Sequence, residues 1–228
     1  YDITNVESFN YDEGSFEIIK NSDILNNNIK DVFNSVGAKK DKELFRLYNY
    51  FAIAPTNNSQ LLINGNEENP VEISSNIASG VSKWGAICFN NQADTSIISN
   101  LYLSGASVGI NPLIYPAAIS GYNSNIILDN IEVENVEFPI YIDGGFVSLG
   151  NSSITTDVIC DYINVKRADV IIENSHFYGS NAMDTDAIDL DNVSNGEIIN
   201  NWIYDFAGEN SDGIDIGENS ENIYIVSN

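Results

Sequence analysis

Asp184-Thr185-Asp186-Ala187-Ile188-Asp189-Leu190-Asp191 and Asn210-Ser211-Asp212-Gly213-Ile214-Asp215-Ile216-Gly217 are one phrase written twice, 26 residues apart. Its centre, an isoleucine followed by a polar residue between apolar neighbours, recurs upstream. The earlier copies are Ala86-Ile87-Cys88-Phe89, Ala118-Ile119-Ser120-Gly121, Tyr141-Ile142-Asp143-Gly144 and Tyr162-Ile163-Asn164-Val165. Between the copies lies a second phrase, an aliphatic run closing on asparagine, at Asn100, Asn130, Asn151, Asn174, Asn201 and Asn228. The asparagines step by 30, 21, 23, 27 and 27 residues, and the central isoleucines by 32, 23, 21, 25 and 26.

Short strands recurring at this period, rich in β-branched residues and without an amphipathic helix, predict a β-solenoid. Leucine-rich repeats have a similar length, but their leucine framework is absent. Stacked strands lie about 4.8 Å apart, so equivalent residues form columns. An asparagine in each turn then hydrogen-bonds its equivalents above and below as a ladder. Before Trp84 the pattern loosens. Leu61-Leu62-Ile63-Asn64-Gly65 and Asn69-Pro70-Val71-Glu72-Ile73 read as the strands that open the solenoid. Asp23 to Tyr50 has helical spacing (Ile29, Val32, Phe33, Leu44, Leu47, Tyr48), broken at Gly37. The expected organisation is a capping segment over residues 1–50, containing a short helix, and an all-β solenoid over 51–228. Asn228 is a ladder position, so the solenoid is expected to continue past it into further domains of the same polypeptide.

Composition narrows the partners. The 228 residues carry 33 Asp and Glu against nine Lys and Arg, a net charge of −24. Nucleic acid and anionic membrane surfaces would be repelled. No apolar run approaches the roughly 18 to 20 residues of a membrane span, so no membrane insertion is expected. Asparagine occurs 34 times. Six of the basic residues crowd the first 46 positions, and from Trp84 onward only Lys166 and Arg167 stand against 21 acids. The coils alone therefore carry −19.

The solenoid resembles the right-handed parallel β-helix of the pectin-lyase-like superfamily. Residues 84–89, 184–189 and 210–217 are similar to β-helix domains of bacterial surface proteins associated with CotH-like and lamin-tail modules. That resemblance implies an extracellular or cell-surface protein with a polysaccharide or glycan as partner, and it is more specific for fold than for activity.

Alternation along the first strand of each coil turns the residue after the central isoleucine outward. The outward column then runs Cys88, Ser120, Asp143, Asn164, Asp189, Asp215, with Lys166 beside Asp191 in the next column. Asp186 and Asp212 flank it at the preceding turn, so Asp189 and Asp215 stand about 5 Å apart. Two carboxylates at that spacing repel by roughly 3 kcal/mol at an effective dielectric of about 20. Calcium, protonation, the two basic residues or plain hydration can relieve this. For calcium the oxygen ligands are Asp143, Asp186, Asp189, Asp191, Asp212 and Asp215. Ligand contact is expected at Asn164, Asp189, Asp191 and Asp215.

Two catalytic alternatives rest on the same face. Lyases of the superfamily use an Arg or Lys as base, which leaves Lys166 and Arg167. The segment 210–215 resembles a polygalacturonase signature that would make Asp212 the catalytic carboxylate, although the other motifs of that family are absent. A purely structural or adhesive spacer is the third reading. His176 is expected to face outward on another face, and Trp202 and Tyr204 to face inward as core.

Overall fold

A computed structural model describes residues 15–20, 44–47, 53–55, 59–75, 83–92, 94–109, 111–156 and 158–228. Among them there is no helix. The strands are β1 (Ser15–Lys20), β2 (Leu44–Leu47), β3 (Ser59–Asn64), β4 (Val71–Ser75), β5 (Ile87–Asn90), β6 (Ser96–Ser104), β7 (Ile119–Glu134) and β8 (Ile140–Gly150). They continue as β9 (Ser153–Thr155), β10 (Ile163–Glu173), β11 (His176–Tyr178), β12 (Ile188–Asp191), β13 (Gly196–Ile199), β14 (Trp202–Tyr204), β15 (Ile214–Ile216) and β16 (Ile223–Val226). All belong to one curled sheet, parallel throughout except where β1 runs antiparallel to β3.

The pairings fall into three rows. In the first, β5, the starts of β7, β8 and β10, then β12 and β15 lie side by side. The second joins β3, β6, the middle of β7, the ends of β8 and β10, β13 and β16. The third joins β2, β4, the ends of β6 and β7, β9, β11 and β14. Period-2 alternation turns one face of each row onto a shared core. Ile63, Ile119, Leu128, Ile140, Ile163, Phe177, Ile188 and Ile198 are all fully buried there. Each such aliphatic side chain contributes about 1.5 to 3 kcal/mol of burial.

Corners between the rows explain the asparagine excess. Among the described residues, twelve of the sixteen non-glycine positions with positive φ are asparagine. Asparagine is the side chain that best tolerates the left-handed region, because its short amide bonds locally. One corner column is Asn91, Asn123, Gly144, Arg167 and Asn192; another is Asn100, Asn130, Asn151, Asn174, Asn200 and Ser227. Amides link neighbours within or beside these columns: Asn123 Nδ2 donates to Asn91 Oδ1 at 3.1 Å, Asn130 Nδ2 to Asn100 Oδ1 at 2.6 Å, and Asn151 Nδ2 to Asp129 Oδ1 at 2.7 Å.

Four expectations are corrected. The asparagine ladder is two adjacent columns, not one. Asn201 and Asn228 belong one residue further on, in a mostly buried column with Ser152 and Ser175. There the Ser152 N–H donates to Ser175 Oγ, the Ser175 N–H to Asn201 Oδ1, and the Asn201 N–H to Asn228 Oδ1, at 2.9 to 3.1 Å. The Asn200-Asn201 doublet hides the difference. That one-residue slip inverts the face of everything after it. Trp202 therefore pairs with outward His176, not inward Ser175, and both Trp202 and Tyr204 point outward. The third correction is a two-residue slip in β8. Ile140, not Ile142, aligns with Ile119 and Ile163, which puts Tyr141 beside Asn164 and moves Asp143 beside Lys166. Finally, Leu44–Leu47 is a strand paired with β4 rather than part of a helix. The rest of the helical spacing before it, residues 23–43, lies outside the described residues.

Candidate functional site

The outward side of the first row carries the acidic face. Its central column runs Cys88, Ser120, Tyr141, Asn164, Asp189 and Asp215. Cys88 and Ser120 are covered, Cys88 by packing with Ala54, Ala86 and Tyr115. The accessible part of the face therefore begins at Tyr141. The next outward column brings together Tyr122, Asp143, Lys166 and Asp191.

The flanking column of Asp186 and Asp212 has a third member, Asp161, that the repeat pattern does not reveal. Asp161, Asp186 and Asp212 are equivalent positions, because the Tyr162 N–H donates to the Asp186 carbonyl and the Ala187 N–H to that of Asp212. Each of these aspartates precedes its partner in the central column by three residues: Asp161 and Asn164, Asp186 and Asp189, Asp212 and Asp215. That spacing was legible, but Asp161 stands in Cys160-Asp161-Tyr162, which does not otherwise match the repeat.

Hydrogen bonds knit the columns. Asn164 Nδ2 donates to Asp161 Oδ2 at 3.1 Å and also to Asp189 Oδ2. The Asp186 N–H donates to Asp161 Oδ1 at 3.3 Å, and Asp186 Oδ1 accepts the Asp212 N–H at 2.6 Å. Asn164 is buried, with both carboxylates on its amide nitrogen, and its Oδ1 has no hydrogen-bond partner. An orphaned buried acceptor is uncommon and costs free energy unless a donor or cation meets it.

Electrostatics follow from crowding. Burial, then the nearby Asp191 and Asp161 charges, push the Asp189 carboxyl up to about 7 against the relief offered by Lys166. Burial raises Asp186 to about 6, with Asp161, Asp212 and Asp215 adding to the rise and the Asp212 N–H opposing it. Both therefore hold protons in a range where ordinary carboxyls are ionised.

Lys166 Nζ lies 2.8 Å from Asp191 Oδ2, as the column reading expects, and this bond raises its pKa. A lysine held protonated in this way is a poor base. Arg167 occupies the left-handed corner at φ 51° and pairs with Asp143 at 2.5 Å while 62% exposed. Asp143 is thereby drawn away from the Asp186–Asp189–Asp215 group. Asp215 and Asp212 lie on the face, the former in register with Asp189. Among the described residues no three of His, Cys, Asp or Glu converge as they would around a metal ion.

The chain matches no family model, no curated protein and no solved structure.

Proposed function

We propose that the curled parallel sheet is a right-handed parallel β-helix of the pectin-lyase-like kind, and that its acidic face recognises an extracellular carbohydrate. The observation that carries this reading is the Asp161–Asn164–Asp189 cluster with its unmatched Asn164 Oδ1. Carboxylates, an amide, Tyr141 and the Lys166–Asp191 pair are held at strand spacing along the first row, an array suited to the repeated hydroxyls of a glycan. Calcium fits the oxygen-only donor chemistry. With no converging set of three acids among the described residues, its remaining ligands would come from the glycan and water.

Calorimetric titration of the chain with calcium, then with glycan in its presence and absence, tests this. Saturable binding that disappears in Asp189→Asn supports the reading, and unchanged binding in that variant overturns it.

A second reading, glycoside hydrolysis, is favoured by the raised carboxyls. Asp189, raised to about 7, keeps a proton close to neutrality, as a general acid must, while Asp212 and Asp215 offer the partner carboxylate. It predicts new reducing ends from an oligosaccharide substrate, lost in Asp189→Asn. Elimination chemistry is less well supported, because Lys166 is held as the cation.

A further inference from the structure

The outward side of the third row differs from the acidic face. His176 and Trp202 are register partners with ring centroids 5.3 Å apart, and Tyr178 and Tyr204 are partners at 4.7 Å in an edge-to-face contact. His176 and Tyr178 lie nearly parallel, at 17° and 6.1 Å, so the four rings form one patch. The residues between them, Phe177 and Ile203, turn toward the core. The patch is therefore a consequence of strand alternation and not of fraying. Trp202 turns outward on β14, in register with His176.

Carboxylates continue the strip. Glu132 pairs with Ser153, which pairs with His176, so Glu132, Ser153, His176 and Trp202 follow one another along the row. Glu134 accepts from the Tyr102 hydroxyl and, with Thr155 and Thr156, lines a cleft of about 270 Å³; Thr155 is the register partner of Tyr178. No Lys or Arg occurs in residues 131–134, 153–155, 176–178 or 202–204. The two cations of the chain beyond Trp84 are already paired, to Asp191 and Asp143 on the first row.

We propose that this aromatic strip is a second binding site, which takes a polysaccharide of cationic amino sugars. Flat ring faces stack against pyranose rings, and the same π-faces attract an ammonium group. Glu132 and Glu134 supply the countercharge. An anionic sugar stacked on the four rings would meet Glu132 and Glu134; the nearest described cation, Lys83, already donates to the Asn135 carbonyl at 3.1 Å.

The test uses a glucosamine hexamer with protonated amines, with a neutral glucose hexamer and a galacturonate hexamer as comparisons. Isothermal calorimetry measures affinity in the parent and every variant; in the parent, where Trp84 is buried and Trp202 exposed, protection of tryptophan fluorescence from acrylamide also places the ligand on the strip. The glucosamine hexamer is expected to protect Trp202 in the parent, with affinity falling about tenfold in Trp202→Ala, recovering in Trp202→Phe and unchanged in Glu197→Gln, an exposed carboxylate of the second row. Binding that is insensitive to Trp202→Ala, or equal protection by the neutral or the acidic hexamer, overturns the proposal. Loss in Asp189→Asn instead would return the ligand to the acidic face. A matching far-ultraviolet circular dichroism spectrum establishes that each variant is folded.

Discussion

Asn164 and Asp189 stand opposite each other on adjacent parallel strands, and the Asn164 amide nitrogen serves both Asp189 and Asp161. One neutral amide thus separates two carboxyls in a cluster that has Lys166 as its cationic relief. Burial, with the Asp191 and Asp161 charges, holds the proton on Asp189 against the relief from Lys166. A carboxyl raised in the folded state binds protons there that the unfolded chain has released, so its contribution to stability is full below about pH 4 and is lost as pH rises through about 7. Asp186 behaves likewise up to about 6. Asp189→Asn should therefore raise the melting temperature relative to the parent more at pH 8 than at pH 4. A difference that does not vary with pH would sink the assignment.

The proton also competes with metal. If calcium binds at Asp189, its apparent affinity should weaken as pH falls below about 7, because the ligand must be deprotonated. Calorimetry at pH 8 and pH 5.5 measures this, and equal affinities would place the ion elsewhere.

Asn201 is expected to be costly to truncate. Its Oδ1 accepts the Ser175 N–H and its Nδ2 donates to the Ile172 carbonyl, both buried. Asn201→Ala should lose about 1 to 3 kcal/mol in urea unfolding, the usual cost of an orphaned buried group. Asn201→Ser should lose less, since serine fills the same column at Ser152 and Ser175.

At the corners the backbone decides. Asn130 sits at φ 51° and donates to Asn100. Asn130→Ala should cost about 1 to 2 kcal/mol and Asn130→Gly distinctly less. The reverse is expected at Arg167, whose exposed pair with Asp143 is worth about 0 to 1 kcal/mol. Arg167→Asn at φ 51° should leave the unfolding midpoint unchanged or raise it, and a clear fall would mean that the Asp143 pair is worth more than its exposure implies.

Face assignment in the third row has a direct test. Phe177→Ala should cost about 3 to 5 kcal/mol, as for other buried aromatics. Trp202→Ala, on the outward face, should stay within about 1 kcal/mol of the parent. Equal costs would mean that Trp202 is core after all.

The amino-acid repeat alone implies the parallel strands, the inward isoleucines, the outward acids and the Lys166–Asp191 pair. All of these follow from a period of two and from a repeat long enough to count. It also held the Asp-x-x-Asp spacing that links Asp186 with Asp189 and Asp212 with Asp215. What it did not contain was absolute register. A slip of two residues keeps every side chain on its face, so Ile140 and Ile142 were equivalent to any pattern argument, and Asp143 was placed one column away from its position. A slip of one at Asn200-Asn201 inverted Trp202 and Tyr204, and the aromatic strip disappeared into the core. Only the stacked hydrogen bonds between neighbouring strands distinguish these alternatives. Register is a relation between distant segments, and it is settled when the core and the ladder of backbone bonds close together.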